Sequence, residues 1–278
     1  MKKISRRSFM AAAAVSVAAL ALTACGGSAS SAASSVASSA ASSEAASSAA
    51  TAELTTVEAG KLTMATNAAF PPYEMTTDAG EFEGIDVDTA KAIAEKLGLE
   101  LQIDDMDFDA ALLSVQQGKA DIVMAGVTVT DERKAVMDFS DSYATGIQSI
   151  IVPEGSDITS PDDLAGKKIG TQRGTTGYIY CSDDFGDENV VAYDDGLTAV
   201  QALNNGQVDA VVIDNAPAQE FVAANPGLKV LDTSYAEEDY AIGMAKGSAL
   251  EDAVNKALEE LKADGTLQAI VDKYINAN

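Results

Sequence analysis

The sequence of 278 residues contains no histidine, no tryptophan and only two cysteines. Histidine is the commonest general base and the commonest metal ligand, so its absence excludes Ser-His-Asp and Cys-His nucleophilic catalysis. Two cysteines without histidine cannot form a zinc site, and the lack of tryptophan excludes an indole-based stacking platform. We therefore predict no metal site and no cofactor, and much enzymatic chemistry is already excluded.

Basic residues are also scarce, because 18 Lys and Arg face 43 Asp and Glu and leave a formal net charge of −25. A chain of this charge repels polyphosphate, so we expect no nucleic-acid partner. Strong negative charge keeps a protein soluble and monomeric, and we predict a monomer. The chain does have 47% apolar residues, and its length fits one large domain or two lobes of ordinary size.

The amino terminus has the pattern of a bacterial export signal. Four of the first seven residues are basic, and an alanine-rich apolar run follows over residues 10–22. This run is too short to span a membrane and suits the hydrophobic region of a signal peptide. It ends in Leu-Thr-Ala-Cys25, which resembles a lipobox and predicts a lipoprotein signal peptide over residues 1–24 with lipidation on Cys25. A plain signal peptide with an incidental cysteine is the alternative, and the Arg6-Arg7 pair fits either the twin-arginine or the general secretory route.

Residues 25–53 carry the lipidated cysteine and then almost only serine and alanine. They lack the apolar surface that a packed core needs, so we predict a flexible tether. No later segment is apolar enough to span a membrane. The anchor and the tether together place the remaining chain outside the cytoplasm, on the outer face of the bacterial cell membrane.

From residue 54 onward, strand and helix patterns alternate, which predicts an α/β fold. The predicted strands cover residues 62–66, 99–103, 121–125, 168–171, 208–213 and 240–245. The predicted helices cover residues 86–97, 108–117, 130–137, 196–203, 216–223, 250–262 and 266–275, with one more beginning near residue 175. A helix, a glycine, an aspartate and a buried strand follow one another at Asp121 and again at Asp209. This repetition favours two similar lobes, although the pattern is common enough in α/β folds to arise by chance.

Arg133 is the first candidate for a functional side chain. It follows residues 126–130, which join a buried strand to the start of a helix. Ligands collect at the carboxyl ends of strands in open sheets, where backbone N–H groups and a guanidinium can hold a carboxylate. A surface ion pair with Asp131 or Asp138 explains the same residue equally well.

Asp214 ends a buried strand, so its carboxylate is placed either to bind a ligand ammonium or to cap the helix that follows.

The loop over residues 170–177 is rich in Gly and Thr and lies between a strand and a helix. This loop is suited to a small anion but also fits an ordinary turn. Phe70 and Phe108 are either walls of a pocket or core residues. Cys181 has no histidine base in the chain to activate it, so we expect an unreactive thiol.

Several short motifs keep a common order and spacing from about residue 61 to residue 275. They are Ala65-Thr-Asn-Ala-Ala-Phe-Pro-Pro-Tyr73, Gly84-Ile-Asp-Val-Asp88, Phe108-Asp-Ala-Ala-Leu, Gly118-Lys-Ala-Asp-Ile-Val-Met-Ala-Gly126, Thr128-Val-Thr-Asp-Glu-Arg133, Asp138-Phe-Ser-Asp-Ser-Tyr143, Asp163-Leu-Ala-Gly-Lys, Gly206-Gln-Val-Asp-Ala-Val and Leu261-Lys-Ala-Asp-Gly-Thr266. Each motif is weak alone, but the series is specific. Through this series the sequence resembles the amino-acid-type extracellular solute-binding proteins (family 3) of bacterial ABC importers.

This resemblance implies a type II periplasmic-binding-protein-like fold. In that fold two α/β lobes are joined by two crossover strands, and a ligand closes the cleft between the lobes. Lobe 1 would comprise residues 54–145 plus 238–278, and lobe 2 would comprise residues 146–237. The crossovers would fall near residues 144–147 and 239–241.

The resemblance also implies roles for individual residues. Arg133 corresponds to the arginine that grips the α-carboxylate of the ligand, and Asp214 to the acid on lobe 2 that takes its α-ammonium. The other matching positions are the strand-to-loop residues Ala125, Gly126 and Thr128, the aromatic walls Phe70 and Phe108, and the lobe 2 loop residues Gln172, Thr175 and Thr176. Asn67 stands where several relatives that bind basic amino acids carry an aspartate, so a polar, uncharged ligand side chain is favoured.

The implied function is binding without catalysis, in which a lipoprotein captures a free amino acid and delivers it to an ABC permease. A few enzymes share this fold and act as dehydratases, and the same module can serve as a sensor for a membrane signalling partner. An intact Asp214 site argues against a dehydratase, and the sequence has no transmembrane or signalling segment that a sensor would use.

Overall fold

The computed structural model describes residues 54–275. The predicted signal peptide (residues 1–24), the predicted lipidation site Cys25 and the predicted tether (residues 25–53) lie outside the described residues. Within the described part of the chain, no helix is both long enough and apolar enough to cross a membrane.

The described residues alternate strands and helices, as the sequence pattern predicts. In chain order the elements are β1 (Lys61–Thr66), β2 (Ala69–Phe70), β3 (Glu74–Thr76), β4 (Phe82–Glu83), α1 (Ile85–Leu97), β5 (Glu100–Asp105), α2 (Phe108–Gln116), β6 (Ile122–Val123), α3 (Asp131–Lys134), β7 (Met137–Phe139), β8 (Ala144–Pro153), β9 (Ile169–Gln172), α4 (Thr176–Phe185), β10 (Val190–Tyr193), α5 (Gly196–Asn204), β11 (Ala210–Asp214), α6 (Asn215–Ala224), β12 (Leu228–Val230), β13 (Ala236–Tyr240), β14 (Gly243–Ala245), α7 (Glu251–Ala263) and α8 (Thr266–Tyr274). Short 3₁₀ helices span Pro161–Leu164 and Asp187–Asn189.

The first sheet has the strand order β5-β1-β6-β14-β7. Strand β1 runs parallel to β5 and β6, whereas β14 is antiparallel to β6 and β7. Helices cover both faces of this sheet, so its central strands are apolar, and Leu62, Met64 and Ile122 are fully buried. Helices α1, α7 and α8 pack against one another on one face, and α2 packs on β1 and β14. We call this sheet with its helices lobe 1.

The second sheet has the strand order β10-β9-β11-β8-β12, and β13 also pairs with β8. Strand β9 is parallel to β10 and β11, while β8 is antiparallel to β11, β12 and β13. Successive side chains of a strand point to opposite faces, so Ile150 belongs to one apolar cluster and Ile151 to another. Helices α4, α5 and α6 pack on this sheet. We call this sheet with its helices lobe 2.

Two neighbouring strands carry the chain between the lobes. The chain leaves the first sheet after β7, enters the second sheet through β8, and returns from β13 to β14. Strands β8 and β13 are antiparallel partners, with Gly146 opposite Glu238 and Ala144 opposite Tyr240. This arrangement confirms the predicted fold class of two sheet-containing lobes joined by two crossover strands, while the residue boundaries of the lobes stay a prediction.

The structure differs locally from the sequence-based prediction around the crossovers. Residues 236–245 form two strands, because β13 pairs in the second sheet and β14 in the first. The helix predicted over residues 130–137 ends at Lys134, since Met137 is buried and pairs with Ala245 in the first sheet. The sequence reading also lacked the long strand β8 and the small sheet formed by β2, β3 and β4.

Candidate ligand-binding site

A cleft lies between the two lobes, and its empty volume is about 450 Å³ when the open solvent at its mouth is included. All eleven residues predicted to contact a ligand line it: Asn67, Phe70, Phe108, Ala125, Gly126, Thr128, Arg133, Gln172, Thr175, Thr176 and Asp214. Glu74, Gln148, Val212 and Ile213 line it as well. The structure thus brings the predicted residues together, and their contact with a ligand stays a prediction.

Arg133 lies on lobe 1 in the short helix α3. The Thr130 hydroxyl accepts a hydrogen bond from the Arg133 amide at 3.2 Å and so caps the start of this helix. The guanidinium is buried, and it lies 5.3 Å from the centre of the Phe108 ring. It donates hydrogen bonds to the carbonyls of Thr128 at 2.8 Å and Gly174 at 3.1 Å. Burial lowers the pKa of Arg133, but a guanidinium keeps its charge in proteins. Arg133 is therefore a fixed cation whose remaining N–H groups can bind an anion.

A surface ion pair, the alternative role for Arg133, does not fit the structure. Asp138 instead pairs with Lys246, with 2.6 Å between carboxylate and ammonium, and this contact keeps the pKa of Asp138 below its usual value. Asp131 is exposed in the first turn of α3. The bond to Gly174 also joins Arg133 to lobe 2, so the arginine faces the cleft rather than the outer surface.

The strand-to-loop residues beside Arg133 are partly engaged by the protein itself. The Gly126 amide donates to Asp86 at 2.9 Å, so the Gly126 carbonyl rather than its N–H group is left for a ligand. Gly126 has a φ of +55°, and a Cβ there would lie 2.9 Å from a ring carbon of Phe70, so this position requires glycine. The Thr128 hydroxyl donates to Glu238 at 3.2 Å, and the protein therefore orients this hydroxyl before any ligand does.

Asp214 is buried at the carboxyl end of β11 on lobe 2. Its side chain makes no capping hydrogen bond to helix α6, so the capping alternative is wrong. One carboxylate oxygen accepts a hydrogen bond from the Gln148 amide at 2.8 Å. Burial is the main cause that raises the pKa of Asp214 to about 7, and the nearby Glu238 carboxylate acts in the same direction. Because burial destabilises the ionised carboxyl group, a ligand ammonium would be a favourable partner for it.

The end of β9 and the loop that precedes α4 contact lobe 1 across the cleft. The Gln172 amide donates to the Asn67 side-chain oxygen at 2.8 Å, which places two neutral amides in contact. Asn67 is held in turn by a bond to the Met106 carbonyl at 2.9 Å. The Thr175 hydroxyl accepts from the Tyr178 amide at 3.3 Å and donates to the Gln172 carbonyl at 2.8 Å. Thr175 therefore caps α4 and holds the loop, independently of any ligand.

The aromatic residues border the cleft and pack into lobe 1 at the same time. Phe70 stacks on Tyr73 with ring centres 5.7 Å apart. Phe108 is 6% exposed and belongs to an apolar cluster of lobe 1, with the Arg133 guanidinium over its ring. Wall and core are therefore compatible roles for these two rings. Cys181 is buried in an apolar cluster of lobe 2 and is not one of the residues that line the cleft.

Two buried polar residues of the cleft were missed by sequence reasoning. Glu74 is fully buried, and its carboxyl group contacts that of Asp86, whereas no N–H group of a described residue donates to either of its oxygens. Burial raises the pKa of Glu74 well above its usual value, and the charge of Asp86 acts in the same direction. Gln148 donates through one amide nitrogen to Asp214 at 2.8 Å and to Glu238 at 3.0 Å. These residues extend the polar part of the site beyond the predicted set.

A sequence signal for both residues does exist. Gln148 lies in the largely apolar run Ile147-Gln-Ser-Ile-Ile-Val152, and Glu74 directly follows the Phe-Pro-Pro-Tyr73 loop. A polar side chain among buried apolar neighbours needs a hydrogen-bond partner, so it marks a position that belongs to a network or a binding site.

Replacing Gly146 with alanine is expected to destabilise the protein by about 1–3 kcal/mol through overpacking. Gly146 lies in β8 at the crossover, where a Cβ would lie 2.6 Å from two ring carbons of Tyr240 and 2.8 Å from a carboxylate oxygen of Asp214. Urea titration gives the free energy of unfolding, with Thr145→Ala at the exposed neighbouring position as the control. Equal values for the two variants would show that the crossover has room for a side chain.

Known proteins share sequence similarity with this chain over nearly all of its described residues. The family model of the bacterial extracellular solute-binding proteins, family 3, matches residues 62–277. A probable histidine-binding protein of Neisseria gonorrhoeae is 34% identical over 272 residues, which cover 95% of this chain and 94% of the relative.

Two solved structures extend the likeness to three dimensions. The arginine-, lysine-, histidine-binding protein ArtJ of the thermophilic bacterium Geobacillus stearothermophilus is 35% identical, with a TM-score of 0.75 over 78% of this chain and 96% of that chain. An ancestral arginine-binding protein bound to glutamine is 43% identical, with a TM-score of 0.74 over 78% of this chain and 98% of that chain. The shared fold thus covers nearly the whole of both solved chains.

Proposed function

Because the chain belongs to family 3 of the bacterial extracellular solute-binding proteins, we propose that its cleft captures a free amino acid and delivers it to an ABC permease. The observation that carries this proposal is the placement of two opposite charges. Arg133 on lobe 1 and Asp214 on lobe 2 are both buried, and both line the same cleft. A free amino acid has a carboxylate and an ammonium on one carbon, which these two groups complement. Members of the family bind a solute rather than transform it, so the chain is not an enzyme.

The two charged contacts would couple binding to closure of the lobes. A hydrogen bond that involves a charged group contributes about 1.5–3 kcal/mol. The carboxylate would bind Arg133 and the ammonium would bind Asp214, and these residues belong to different lobes. Only the closed arrangement satisfies both ends of the ligand, so the ligand shifts the population toward closure. The closed shape is then the form that the permease recognises.

The ligand side chain in this proposal is polar and uncharged. Asn67 and Gln172 meet across the cleft through neutral amides, which donate and accept hydrogen bonds without requiring a charged partner. Glu74 has a raised pKa, and its protonated form can also donate one hydrogen bond and accept another. These groups suit an amide side chain, and the ancestral relative that was solved with glutamine carries such a ligand.

A cationic side chain is the second candidate, and Glu74 is the observation that favours it. No N–H group of a described residue donates to its two buried carboxylate oxygens, so a guanidinium or an ammonium would provide such a donor. The ArtJ relative is described as binding arginine, lysine and histidine. The two candidates differ in the charge that Glu74 must carry, so a change at this residue separates them.

We expect L-glutamine to bind the full-length chain more tightly than L-arginine, and we expect Glu74→Gln to change the Kd of L-glutamine by less than about threefold. Glutamine at this position keeps the shape of the side chain and its capacity for one donor and one acceptor contact. Calorimetric titration of the wild type and the variant with both amino acids measures these values. Glu81→Gln, at an exposed position before β4, is the matched control.

Tighter binding of L-arginine would contradict the uncharged side chain. If Glu74→Gln then weakened L-arginine about 10- to 100-fold, the loss would match a charge-assisted hydrogen bond and would establish the cationic candidate.

We propose a lipid anchor on Cys25, a Ser/Ala-rich tether over residues 25–53 and a monomeric body at the outer face of the cell membrane. The lobes would divide at residues 54–145 plus 238–278 and residues 146–237. The pairing of β8 with β13 supports this division, since these strands connect the two sheets.

A further inference from the structure

Glu238 lies where the two crossover strands pair, and its side chain bonds to three residues that line the cleft. It belongs to β13, opposite Gly146 of β8, and its side chain is buried. One carboxylate oxygen, Oε2, accepts three hydrogen bonds, from the Thr128 hydroxyl at 3.2 Å, the Thr176 hydroxyl at 3.0 Å and the Gln148 amide at 3.0 Å. A single oxygen therefore gathers donors from several elements.

The three donors come from different parts of the fold. Thr128 lies on lobe 1, between β6 and α3, and Thr176 is the first residue of α4 on lobe 2. Gln148 lies on the crossover strand β8 and also donates to Asp214. The hydroxyl oxygens of Thr128 and Thr176 are 3.4 Å apart. Their meeting on Glu238 requires the lobes to be in contact, so an opening of the cleft would separate them.

We propose that Glu238 is a positioning residue for ligand capture, which accepts hydrogen bonds from the hydroxyls of both threonines and thereby stabilises the closed cleft. The inference rests on the proposed function, because closure matters only if the cleft holds a ligand. A hydroxyl has one proton, so a threonine that donates to Glu238 presents only lone pairs to the ligand. These lone pairs suit the ammonium of an amino acid, and Gln148 connects Glu238 to Asp214, the other acceptor proposed for that ammonium.

The test uses Glu238→Gln in the full-length chain, with Glu237→Gln as the matched control. Glu237 is the preceding residue of β13 and is exposed, so the control changes the same charge on the opposite face of the strand. Two fluorescent labels, one on each lobe, report the distance between the lobes. L-glutamine and L-arginine serve as probes, and calorimetry gives their Kd values.

For Glu238→Gln we expect a longer mean distance between the labels, both without and with the probes, and a Kd about tenfold higher for the probe that binds. A neutral acceptor makes weaker hydrogen bonds than a carboxylate, which accounts for a change of this size. Thr176→Val should cause a similar loss. The double variant should add little to it, because both changes break the same contact.

Three results would overturn the proposal. In the first, Glu238→Gln has the same distance between the labels and the same Kd as the control Glu237→Gln. In the second, the Kd of the double variant rises by the full product of the two single effects, as expected for two unrelated structural changes. A wild-type chain that never shows the short distance would also contradict it. If neither probe binds but Glu238→Gln still lengthens the distance between the labels, the role of Glu238 in closure holds and the proposed ligand class is wrong. The two failures are therefore distinguishable.

Discussion

Arg133→Ala raises the Kd for the captured amino acid by about 10²- to 10⁴-fold, which in a standard titration is a loss of detectable binding. Two charge-assisted hydrogen bonds to a carboxylate contribute about 3–6 kcal/mol together, and this range converts to that loss. The substitution also removes the bond from the guanidinium to the Gly174 carbonyl, which joins the lobes at 3.1 Å. The carboxylate of the ligand would then enter a cleft without its buried cation.

Arg173→Ala is the control for this prediction. Arg173 is on the lobe 2 loop beside Gln172, its side chain is 57% exposed, and it lies 3.6 Å from Asp194. The same change of charge there is expected to alter the Kd by less than about threefold, because exposed ion pairs contribute little. The melting temperature without amino acid should change little in Arg133→Ala, since the cost of burying the guanidinium offsets its hydrogen bonds. If Arg133→Ala retains affinity within tenfold of the wild type, the carboxylate grip is misassigned.

Asp214→Asn is expected to weaken binding by about 10- to 150-fold and to remove the pH dependence of affinity. The first effect is the loss of a charge-assisted bond to the ligand ammonium, worth about 1.5–3 kcal/mol. The second effect follows from the pKa of Asp214, which burial raises to about 7. An ammonium binds the ionised carboxylate, so below pH 7 the proton must leave before the ligand can bind. The Kd of the wild type therefore rises as pH falls, by up to tenfold per unit.

Calorimetry with L-glutamine at pH 5.5, 6.5 and 7.5 measures this dependence. The wild type should bind most tightly at the highest of these values, and Asp214→Asn should give nearly the same weak Kd at all three. Asp232→Asn, at an exposed position after β12, is expected to follow the wild type. A wild-type Kd that stays constant from pH 5.5 to 7.5, or an unchanged affinity in Asp214→Asn, would remove Asp214 from the ammonium site.

The positions of Arg133 and Asp214 could be predicted from the sequence because of where they stand along the chain. Arg133 follows a buried strand and Asp214 ends one, at the edge where open sheets collect ligands. Local pattern left a second role open for each residue, a surface ion pair for one and a helix cap for the other. Only the tertiary structure decides these alternatives, because burial of Arg133 and the bond from Gln148 to Asp214 depend on distant parts of the chain.

Glu74, Gln148 and Glu238 could not be placed in the same way. Gln148 lines the cleft and Glu238 contacts its lining because β8 pairs with β11 and β13, and this long-range pairing leaves no trace in local periodicity. Glu74 is buried by the packing of the small sheet of β2, β3 and β4, which the alternating pattern of strands and helices does not reveal. Short strands carry too few residues to show a period.

The family likeness was more informative than any single motif. The series of short motifs predicts the fold, and the match of the family model over residues 62–277 confirms the resemblance. The chemistry of the ligand side chain depends instead on a few positions, chiefly Asn67 and Glu74. Asn67 favours a neutral ligand and Glu74 accommodates a cation, so the order and spacing of motifs do not decide between them.

The central claim is that this cleft binds a free amino acid through both of its charged ends. The most direct test is calorimetric titration of the full-length chain, refolded free of carried-over ligand, against the twenty amino acids and cystine. We predict heat of binding with one or a few of them, and we expect a polar uncharged amino acid to bind most tightly. No heat of binding with any amino acid of the panel would contradict the claim. It would point to a different small carboxylate or a dipeptide, and it would put the role of Asp214 in doubt before that of Arg133.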